Sequence, residues 1–217
     1  LLPAPTVIGQ RHLDWRGTDL LGDPVSREHA VTGGALRSYD RADIYRNDAT
    51  GKAYRVWGAV LRKYRGLGGA AGRLGLPVSE EYRVAGATAW AQNFTRGRVY
   101  WSSTTGGRAV EGAVLRKYLA EGGPDGWLGL PTSDETAVRG GRASAFVNGR
   151  VYWGSGLGAH PVRGAILSRY LQLGGPDSRL GLPTSDEYAV SDGRRSDFQH
   201  GRIRWSSVTR TTTVTYS

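Results

Sequence analysis

Arginine and tyrosine side chains recur together at three points along the chain, and this pairing could recognise an acidic or a sugar ligand. The positions are Arg98 with Tyr100, Arg150 with Tyr152, and Arg202 with Arg204. A guanidinium group matches the geometry of a carboxylate or a phosphate, and tyrosine offers both a ring and a hydroxyl group. We therefore expect these residues to contact a ligand, although a solvated face of a β-sheet would have the same composition.

Tryptophan provides the second kind of candidate contact, because a flat indole can stack on a sugar ring. Trp101, Trp153 and Trp205 recur at equal spacing in strand-like segments. Their alternation places them beside phenylalanine and valine, which favours a core position over a sugar platform. Trp57 and Trp127 stand where the corresponding segments carry charged residues. We expect these two to be exposed, either as ligand contacts or as partly covered surface rings.

The sequence contains no arrangement of residues that is typical of catalysis or of a bound metal. Three acidic pairs invite comparison with glycosidases, but neighbours on an extended segment point apart, so turn formation or ion pairing with arginine explains them better. The pairs are Glu80 with Glu81, Asp134 with Glu135, and Asp186 with Glu187. Cysteine is absent, the histidines lack ligand spacing, and no serine stands in an esterase elbow. We expect no catalytic residue, no metal and no cofactor.

The chain is strongly basic. Its 217 residues include 29 Lys plus Arg against 19 Asp plus Glu, a formal net charge of +10. This excess indicates an acidic partner, which could be nucleic acid, an anionic membrane surface or an anionic polymer. No run approaches the ~20 apolar residues that span a bilayer. Because methionine is absent, we expect that the original start was removed, most simply by cleavage of a secretion signal.

A short motif divides the chain into repeats. Leu-Gly-Leu-Pro occurs three times, with a weaker Leu-Gly-Asp-Pro copy at 21–24. The motif residues are Leu74, Gly75 and Pro77; Leu128, Gly129 and Pro131; and Leu180, Gly181 and Pro183. Phenylalanine and tryptophan landmarks keep the same period of about 53 residues, so the glycines are placed turn residues and a low-complexity segment is excluded.

Each repeat is predicted to contain a short helix, a tight connector and a β-hairpin. Apolar residues in 112–119 follow a helical pattern, and a Gly-Gly pair ends that helix. An Asn-Gly pair at 148–149 is the predicted hairpin turn, so that Val147 faces Arg150 across it. The hairpin tryptophan then shares one face with phenylalanine, while Arg150 and Tyr152 lie on the other.

These patterns predict an α+β, β-rich tandem repeat of four segments, each an antiparallel hairpin with one short helix. The predicted segments span residues 1–55, 56–109, 110–161 and 162–217. The first is a degenerate capping copy, and the last includes a closing C-terminal strand. The threonine-rich tail from Val208 could pair with the N-terminal segment and close a propeller-like ring, or it could cap an open stalk.

The combined motif resembles the LGFP repeat, a family of modules associated with actinobacterial cell walls. The resemblance rests on Leu-Gly-Leu-Pro-(Val/Thr)-Ser-(Asp/Glu)-Glu, the preceding Gly-Ala-(Val/Ile)-Leu segment with its Gly-Gly pair, and the following Gly-Arg-(Val/Ile)-x-Trp. Three copies match closely and a fourth loosely. The chain departs from the family at Leu76, Leu130 and Leu182, where phenylalanine is usual, which is a tolerated apolar exchange. Asp23 in the weak copy is a larger departure, because the residue is charged.

The resemblance implies a secreted or envelope protein whose repeats bind peptidoglycan–arabinogalactan, or a related anionic or sugar polymer, without catalysing a reaction. The implied partners are cell-wall polysaccharide and peptidoglycan, with a catalytic domain outside this chain or another secreted protein. Two alternatives stay open: a protein-binding module such as a protease inhibitor or adhesin, and the targeting part of a cell-wall hydrolase. Nucleic-acid binding has only the charge in its favour, since no known motif for it occurs.

Overall fold

The computed structural model describes residues 6–15, 18–84, 86 and 89–217, and four antiparallel β-sheets dominate it. Each sheet has four strands whose order in the sheet follows their order in the chain, so no sheet closes on itself. The predicted β-rich α+β tandem repeat is confirmed. The chain divides into two compact units, Leu1–Ala109 and Val110–Ser217.

The four sheets have similar strand lengths. The first contains β1 (His29–Val31), β2 (Gly34–Ser38), β3 (Ala42–Asn47) and β4 (Lys52–Trp57). The second contains β5 (Tyr82–Arg83), β6 (Ala89–Phe94), β7 (Gly97–Ser102) and β8 (Gly106–Glu111). The third contains β9 (Thr136–Val138), β10 (Gly141–Phe146), β11 (Gly149–Gly154) and β12 (Gly158–Arg163). The fourth contains β13 (Tyr188–Val190), β14 (Gly193–Phe198), β15 (Gly201–Ser206) and β16 (Thr212–Tyr216).

Two short helices precede the first sheet, and three longer helices start directly after the last strand of a sheet. The helices are α1 (Val7–Asp14), α2 (Thr18–Leu21), α3 (Gly58–Gly66), α4 (Gly112–Ala120) and α5 (Gly164–Gln172). The glycines that begin the last three have φ of 53°, 57° and 52°. Nothing lies within 4 Å of a Cβ atom built on them, so the left-handed angle selects glycine there and crowding does not.

Helix α3 packs against the first and the second sheets of the first compact unit. The shared core contains Val60, Leu61 and Tyr64 from the helix, Tyr45 and Val56 from the first sheet, and Phe94, Val99 and Ala109 from the second. A helix of about two turns is unstable alone. Burial against two sheets therefore holds it in place.

Helix α5 packs in the same way in the second compact unit. Its core contains Ile166 and Tyr170 from the helix, Tyr152 and Val162 from the third sheet, and Phe198 and Ile203 from the fourth. Helix α4 also packs against β11 and β12. Val151 and Tyr152, which point to opposite faces of β11, are consequently both buried.

A buried tyrosine from each longer helix hydrogen-bonds to the glycine of the Leu-Gly-Leu-Pro motif. The hydroxyl donates to the glycine carbonyl oxygen from Tyr64 to Gly75 at 2.8 Å, from Tyr118 to Gly129 at 2.8 Å, and from Tyr170 to Gly181 at 2.7 Å. The three glycines have φ of 69°, 68° and 69°, which other residues adopt only at a cost. The tyrosine rings also pack on the hairpin phenylalanines, with centroids 4.5–4.6 Å apart.

The proline and serine of the motif fasten it to the hairpin that follows. The prolines form isolated β-bridges: Pro77 with Phe94, Pro131 with Phe146, and Pro183 with Phe198. The serine hydroxyls accept hydrogen bonds from strand amides: Ser79 from Asn93 at 3.0 Å, Ser133 from Ala145 at 2.9 Å, and Ser185 from Asp197 at 2.9 Å. The connector is thus an extension of the sheet edge.

The hairpin turn lies one residue earlier than predicted. Phe146 pairs with Gly149, so Val147 and Asn148 form the turn, and the predicted turn at 148–149 is wrong. The amides of Val147 and Asn148 donate to carbonyls of Leu130 and Leu128 in the connector, which holds both residues out of the strand ladder. The face assignment is unaffected, because phenylalanine and tryptophan still alternate onto one side.

The two ends of the chain modify the repeat. Helix α1 contains no tyrosine, and its Ile8 packs with Leu21, Tyr39 and Ile44. The weak motif copy keeps a left-handed Gly22, with φ of 76°. At the other end, β16 pairs with β15 and supplies the fourth strand of its own sheet.

Replacing Tyr170 with phenylalanine is expected to lower the free energy of unfolding by about 1–2 kcal/mol, because the Gly181 carbonyl loses a partly buried donor. The matched control is Tyr188→Phe, which removes an exposed hydroxyl that bonds Asp197 at 2.8 Å. That change should cost less than about 0.5 kcal/mol. Urea unfolding followed by tryptophan fluorescence measures both, and equal losses would contradict the special role of the helix tyrosine.

Candidate ligand-binding cavities

A cavity of about 310 Å³ lies at the start of α3 in the first compact unit. It is lined by Trp57, Gly58, Ala59, Arg62, Glu81, Trp90 and Trp101. Trp57 ends β4, while Trp90 and Trp101 are directly opposite each other on β6 and β7. We call this the Trp cavity, because tryptophan supplies its aromatic lining.

A second cavity, of about 350 Å³, occupies the same repeat position at the start of α5 in the second compact unit. It is lined by Arg163, Gly164, Ala165, Ile166, Glu187, Arg194 and Trp205. Arg194 and Trp205 are directly opposite each other on β14 and β15. We call this the Arg cavity. Its recurrence indicates that the geometry of the repeat itself creates the cavity.

Besides the glycine and alanine that begin the helix, the two cavities keep two lining residues in common and exchange two others. The corresponding pairs are Glu81 and Glu187, Trp101 and Trp205, Trp57 and Arg163, and Trp90 and Arg194. The third repeat has Glu111, Glu135, Arg142 and Trp153 at these positions, with Arg142 opposite Trp153. Glutamate and the hairpin tryptophan are therefore the fixed parts, and tryptophan or a charged residue is the variable part.

In the Arg cavity, two arginines neutralise the glutamate. Arg163 Nε lies 3.3 Å from Glu187 Oε1, and Arg194 forms a second ion pair with the same oxygen. The Glu187 side chain is only 10% exposed, so the guanidinium groups replace the solvation that it loses. Arg142 forms the matching ion pair with Glu135 in the third repeat.

In the Trp cavity, no residue that the structure describes forms a salt bridge with the glutamate. Glu81 instead accepts a hydrogen bond from the indole of Trp57. Burial raises the pKa of Glu81, and this hydrogen bond and the positive charge of Arg55 oppose the shift only in part. The cavity therefore contains a half-buried carboxylate that can still accept hydrogen bonds.

Arginines outside the cavity linings stack on the tryptophans. The guanidinium carbon of Arg55 lies 4.7 Å from the ring centroid of Trp57, and that of Arg83 lies 5.1 Å from Trp90. Cation–π contacts of this kind restrict the orientation of an indole. The rings of the Trp cavity are thus held in place before any ligand arrives.

The predicted tyrosine contacts lie in the protein interior. Tyr100 and Tyr152 are each 1% exposed, which corrects the expectation that they lie on an open face. Burial raises the pKa of Tyr100 to about 12, opposed by the charge of Arg98. For Tyr152 the physical reason is that helix α5 of the following repeat packs over the face that a single repeat leaves open.

The arginines of the same predicted face are more accessible. Arg98 is half-buried, whereas Arg150, Arg202 and Arg204 are exposed. Arg204 forms an ion pair with Asp192. Neither cavity lining includes any of the four, so their contact with a ligand stays a prediction.

The tryptophans divide between cavity lining and packing. Trp57 is 38% exposed, as predicted, and lines the Trp cavity. Trp127 is half-buried; its indole donates to Glu121 at 2.7 Å, and Arg163 lies 4.5 Å from its centroid. Trp101, Trp153 and Trp205 are half-buried as well, so they are less deeply buried than core residues.

Sequence reasoning missed Trp90 and Glu81 as a cavity pair, together with Arg163 and Arg194. A usable signal existed for Trp90, because its sister positions carry Arg142 and Arg194, the same exchange that singled out Trp57. What the sequence did not reveal is the cross-strand register that places Trp90 beside Trp101.

Two further features are absent from the described part of the chain. Within those residues, no helix is long and apolar enough to cross a membrane. The same residues contain no group of three acidic, histidine or cysteine side chains that could hold a metal ion.

Comparison with known families gives one recurring match. The family model described as the LGFP repeat matches residues 21–72, 74–126, 128–178 and 180–217. Each match begins at the Leu-Gly motif, whereas the predicted segment boundaries after residues 55, 109 and 161 fall within the last strand of a sheet. No curated protein matches the chain.

The two cavity glutamates should respond to neutralisation with opposite signs. A carboxyl whose folded pKa is raised destabilises the fold as pH increases through that pKa. Glu81→Gln is therefore expected to raise the free energy of unfolding at pH 7, by under about 1 kcal/mol because the group is half-exposed. This gain should vanish below the ordinary glutamate pKa of about 4.

Glu187→Gln, the matched substitution, should instead lower the free energy of unfolding by about 1 kcal/mol or more, since two arginines lose their ion-pair partner. Urea unfolding at pH 7 and at about pH 3, below the carboxylate pKa range, measures both variants. Destabilisation of the same size in both would show that the two carboxylates have equivalent surroundings.

Proposed function

The chain belongs to the LGFP repeat family, and from that premise we propose that it is a non-catalytic module that binds a cell-wall polysaccharide or peptidoglycan. In this proposal it acts outside the cytoplasm and holds a secreted or envelope protein on the wall. Peptidoglycan–arabinogalactan is the proposed polymer, as the family resemblance implies. A catalytic domain outside this chain, or another secreted protein, is the proposed cargo.

The recurrence of a tryptophan-containing cavity at one repeat position carries the proposal. The Trp cavity and the Arg cavity both place an indole beside a carboxylate and at least one guanidinium group. Indole faces suit the C–H surface of a sugar, and the charged groups suit hydroxyl or acidic substituents. Concave sites with apolar walls and few polar groups are typical of ligand binding.

Positive charge supports attachment to a wall that carries acidic groups. The net charge of +10 raises the local concentration of an anionic polymer and speeds its encounter with the cavities. Because exposed charges are screened beyond about 8 Å at physiological ionic strength, this contribution decreases with added salt.

Several weak sites on one chain would act together on a repeating polymer. After one cavity has bound the polymer, the other cavity is held at a high effective concentration near the same polymer molecule. Because both cavities lie on one protein chain, a polymer long enough to reach both can bind them together. This is how shallow cavities of modest individual affinity could retain a protein on a wall.

Most carboxylates of the acidic pairs, with Glu81 as an exception, form ion pairs within the described part of the fold, which supports the expectation that the module is not catalytic. Asp186 forms an ion pair with Lys117 and a hydrogen bond, at 2.8 Å, with His160 Nδ1. Glu80 lies 3.2 Å from the guanidinium group of Arg11. These carboxylates connect elements that lie in different segments of the chain, and they are therefore already engaged.

Sedimentation with isolated wall sacculi tests the proposal. At low ionic strength the protein should pellet with sacculi from an arabinogalactan-bearing wall, and rising NaCl concentration should release it. If it stays in the supernatant at low ionic strength, or hydrolyses the wall material, the proposal is wrong. If it binds random duplex DNA at physiological salt but no sacculi, nucleic acid becomes the better assignment.

The double variant Trp57→Ala with Arg163→Ala tests the role of the cavities in this binding. Its apparent affinity for sacculi should fall by about tenfold or more, because loss of individual sites multiplies through avidity. Arg116→Ala is the matched control, since Arg116 is an exposed arginine of α4 and lines neither cavity. A similar loss in the control would mean that net charge alone binds the wall.

A further inference from the structure

We infer that the Trp cavity is the subsite for an uncharged sugar ring, and that the Arg cavity does not share this specificity. The inference rests on the proposed wall-binding function and names the ligand of one of its sites. Three observations carry it: the aromatic lining, the carboxylate that lacks an arginine partner among the described residues, and the balance of charges around the cavity.

The aromatic lining provides platforms for the apolar side of a sugar. Trp57, Trp90 and Trp101 all contribute to a cavity of about 310 Å³. That volume is at the small end of the range for ligand cavities, which suits a single ring better than a long segment. The negative face of an indole attracts the C–H groups of the sugar, whose hydroxyl groups then point outward around the ring edge.

The cavity also supplies partners for those hydroxyl groups. Glu81 is half-buried, and its sister residue Glu187 is committed to two arginines. Glu81 accepts only the Trp57 indole bond among the side-chain contacts described, which leaves acceptor capacity for sugar hydroxyls. Arg62 lines the cavity as a donor from α3.

Charge disfavours a cationic ligand in this cavity, and loss of hydration beside a carboxylate disfavours an anionic one. A cationic ligand would meet Arg62 in the lining and Arg55 and Arg83 behind the indoles, against one carboxylate. An anionic ligand would approach Glu81 while losing its hydration to indole rings. An uncharged ring with many hydroxyl groups avoids both penalties.

The Arg cavity lacks the features that select such a ring. It keeps a single tryptophan, Trp205, and its glutamate is held by Arg163 and Arg194. A neutral sugar would have to compete with both arginines for the Glu187 carboxylate. The chain therefore contains two cavities in equivalent positions whose binding of neutral sugars can be compared directly.

Titration of methyl galactopyranoside and methyl arabinofuranoside into the full chain tests the inference, with the indole N–H signals observed by NMR. The signals of Trp57, Trp90 and Trp101 should shift and saturate. Those of Trp127 and Trp205 should not move. Glucosamine and galacturonate serve as the cationic and anionic probes, and each should bind at least about tenfold more weakly than the neutral sugars.

Exchange variants use the residues that the sister repeat already tolerates. Trp57→Arg with Trp90→Arg converts the lining to that of the Arg cavity, and it should weaken neutral-sugar binding by about tenfold or more. The reciprocal variant, Arg163→Trp with Arg194→Trp, should make the Trp205 signal respond. Trp127→Arg is the matched control, because its sister positions also carry arginine and it lines neither cavity.

The outcomes separate this inference from the proposed function. If the wild-type chain sediments with sacculi but no indole signal responds to neutral sugars, the subsite assignment is wrong and the wall-binding proposal stands. Tighter binding of glucosamine or galacturonate also overturns the assignment. If neutral sugars shift the three signals but sacculi are not bound, the subsite stands and the wall-binding proposal fails.

Discussion

Each repeat that begins with α3, α4 or α5 depends on one contact. This contact is the hydrogen bond from a helix tyrosine to the glycine carbonyl of the Leu-Gly-Leu-Pro motif. Its donor lies on the helix, and its acceptor lies in the connector whose proline and serine fasten the next hairpin. The glycine carbonyl and the buried hydroxyl each satisfy the other, since a buried polar group without a partner is costly. Helix position, connector path and strand register are therefore fixed together.

Because each longer helix is followed by its motif and its hairpin, the start of the helix and the hairpin tryptophan always lie near each other. This explains why the Trp cavity and the Arg cavity occupy the same position although their linings differ. The scaffold supplies the concave shape, while exposed or half-buried side chains supply the chemistry. Specificity can thus vary from one repeat to another without a change in the core.

Much of this architecture could be predicted from the period of the motif, from apolar residues at helical spacing, and from glycines at turns and helix ends, because these are local properties of the sequence. The position of the hairpin turn could not be predicted in this way. Hydrogen bonds to carbonyls of the connector, and not local turn preference, hold Val147 and Asn148 out of the strand ladder. The burial of Tyr152 could not be predicted from local sequence either, because it depends on a helix of the following repeat. The cavity residues were found only in part: Trp57 departs visibly from its sisters, but Glu81 looks like the other motif glutamates and differs only in its surroundings.

The exchange of tryptophan for arginine around the cavities has an evolutionary consequence. The tryptophan codon is a single base away from some of the arginine codons, so one point mutation can interconvert the two side chains where such a codon is used. Trp57 and Arg163, and Trp90 and Arg194, are the lining positions at which the two residue types are exchanged. After a repeat is duplicated, its copies can therefore diverge in the chemistry of their cavity linings through single substitutions, while selection on the core keeps the fold intact.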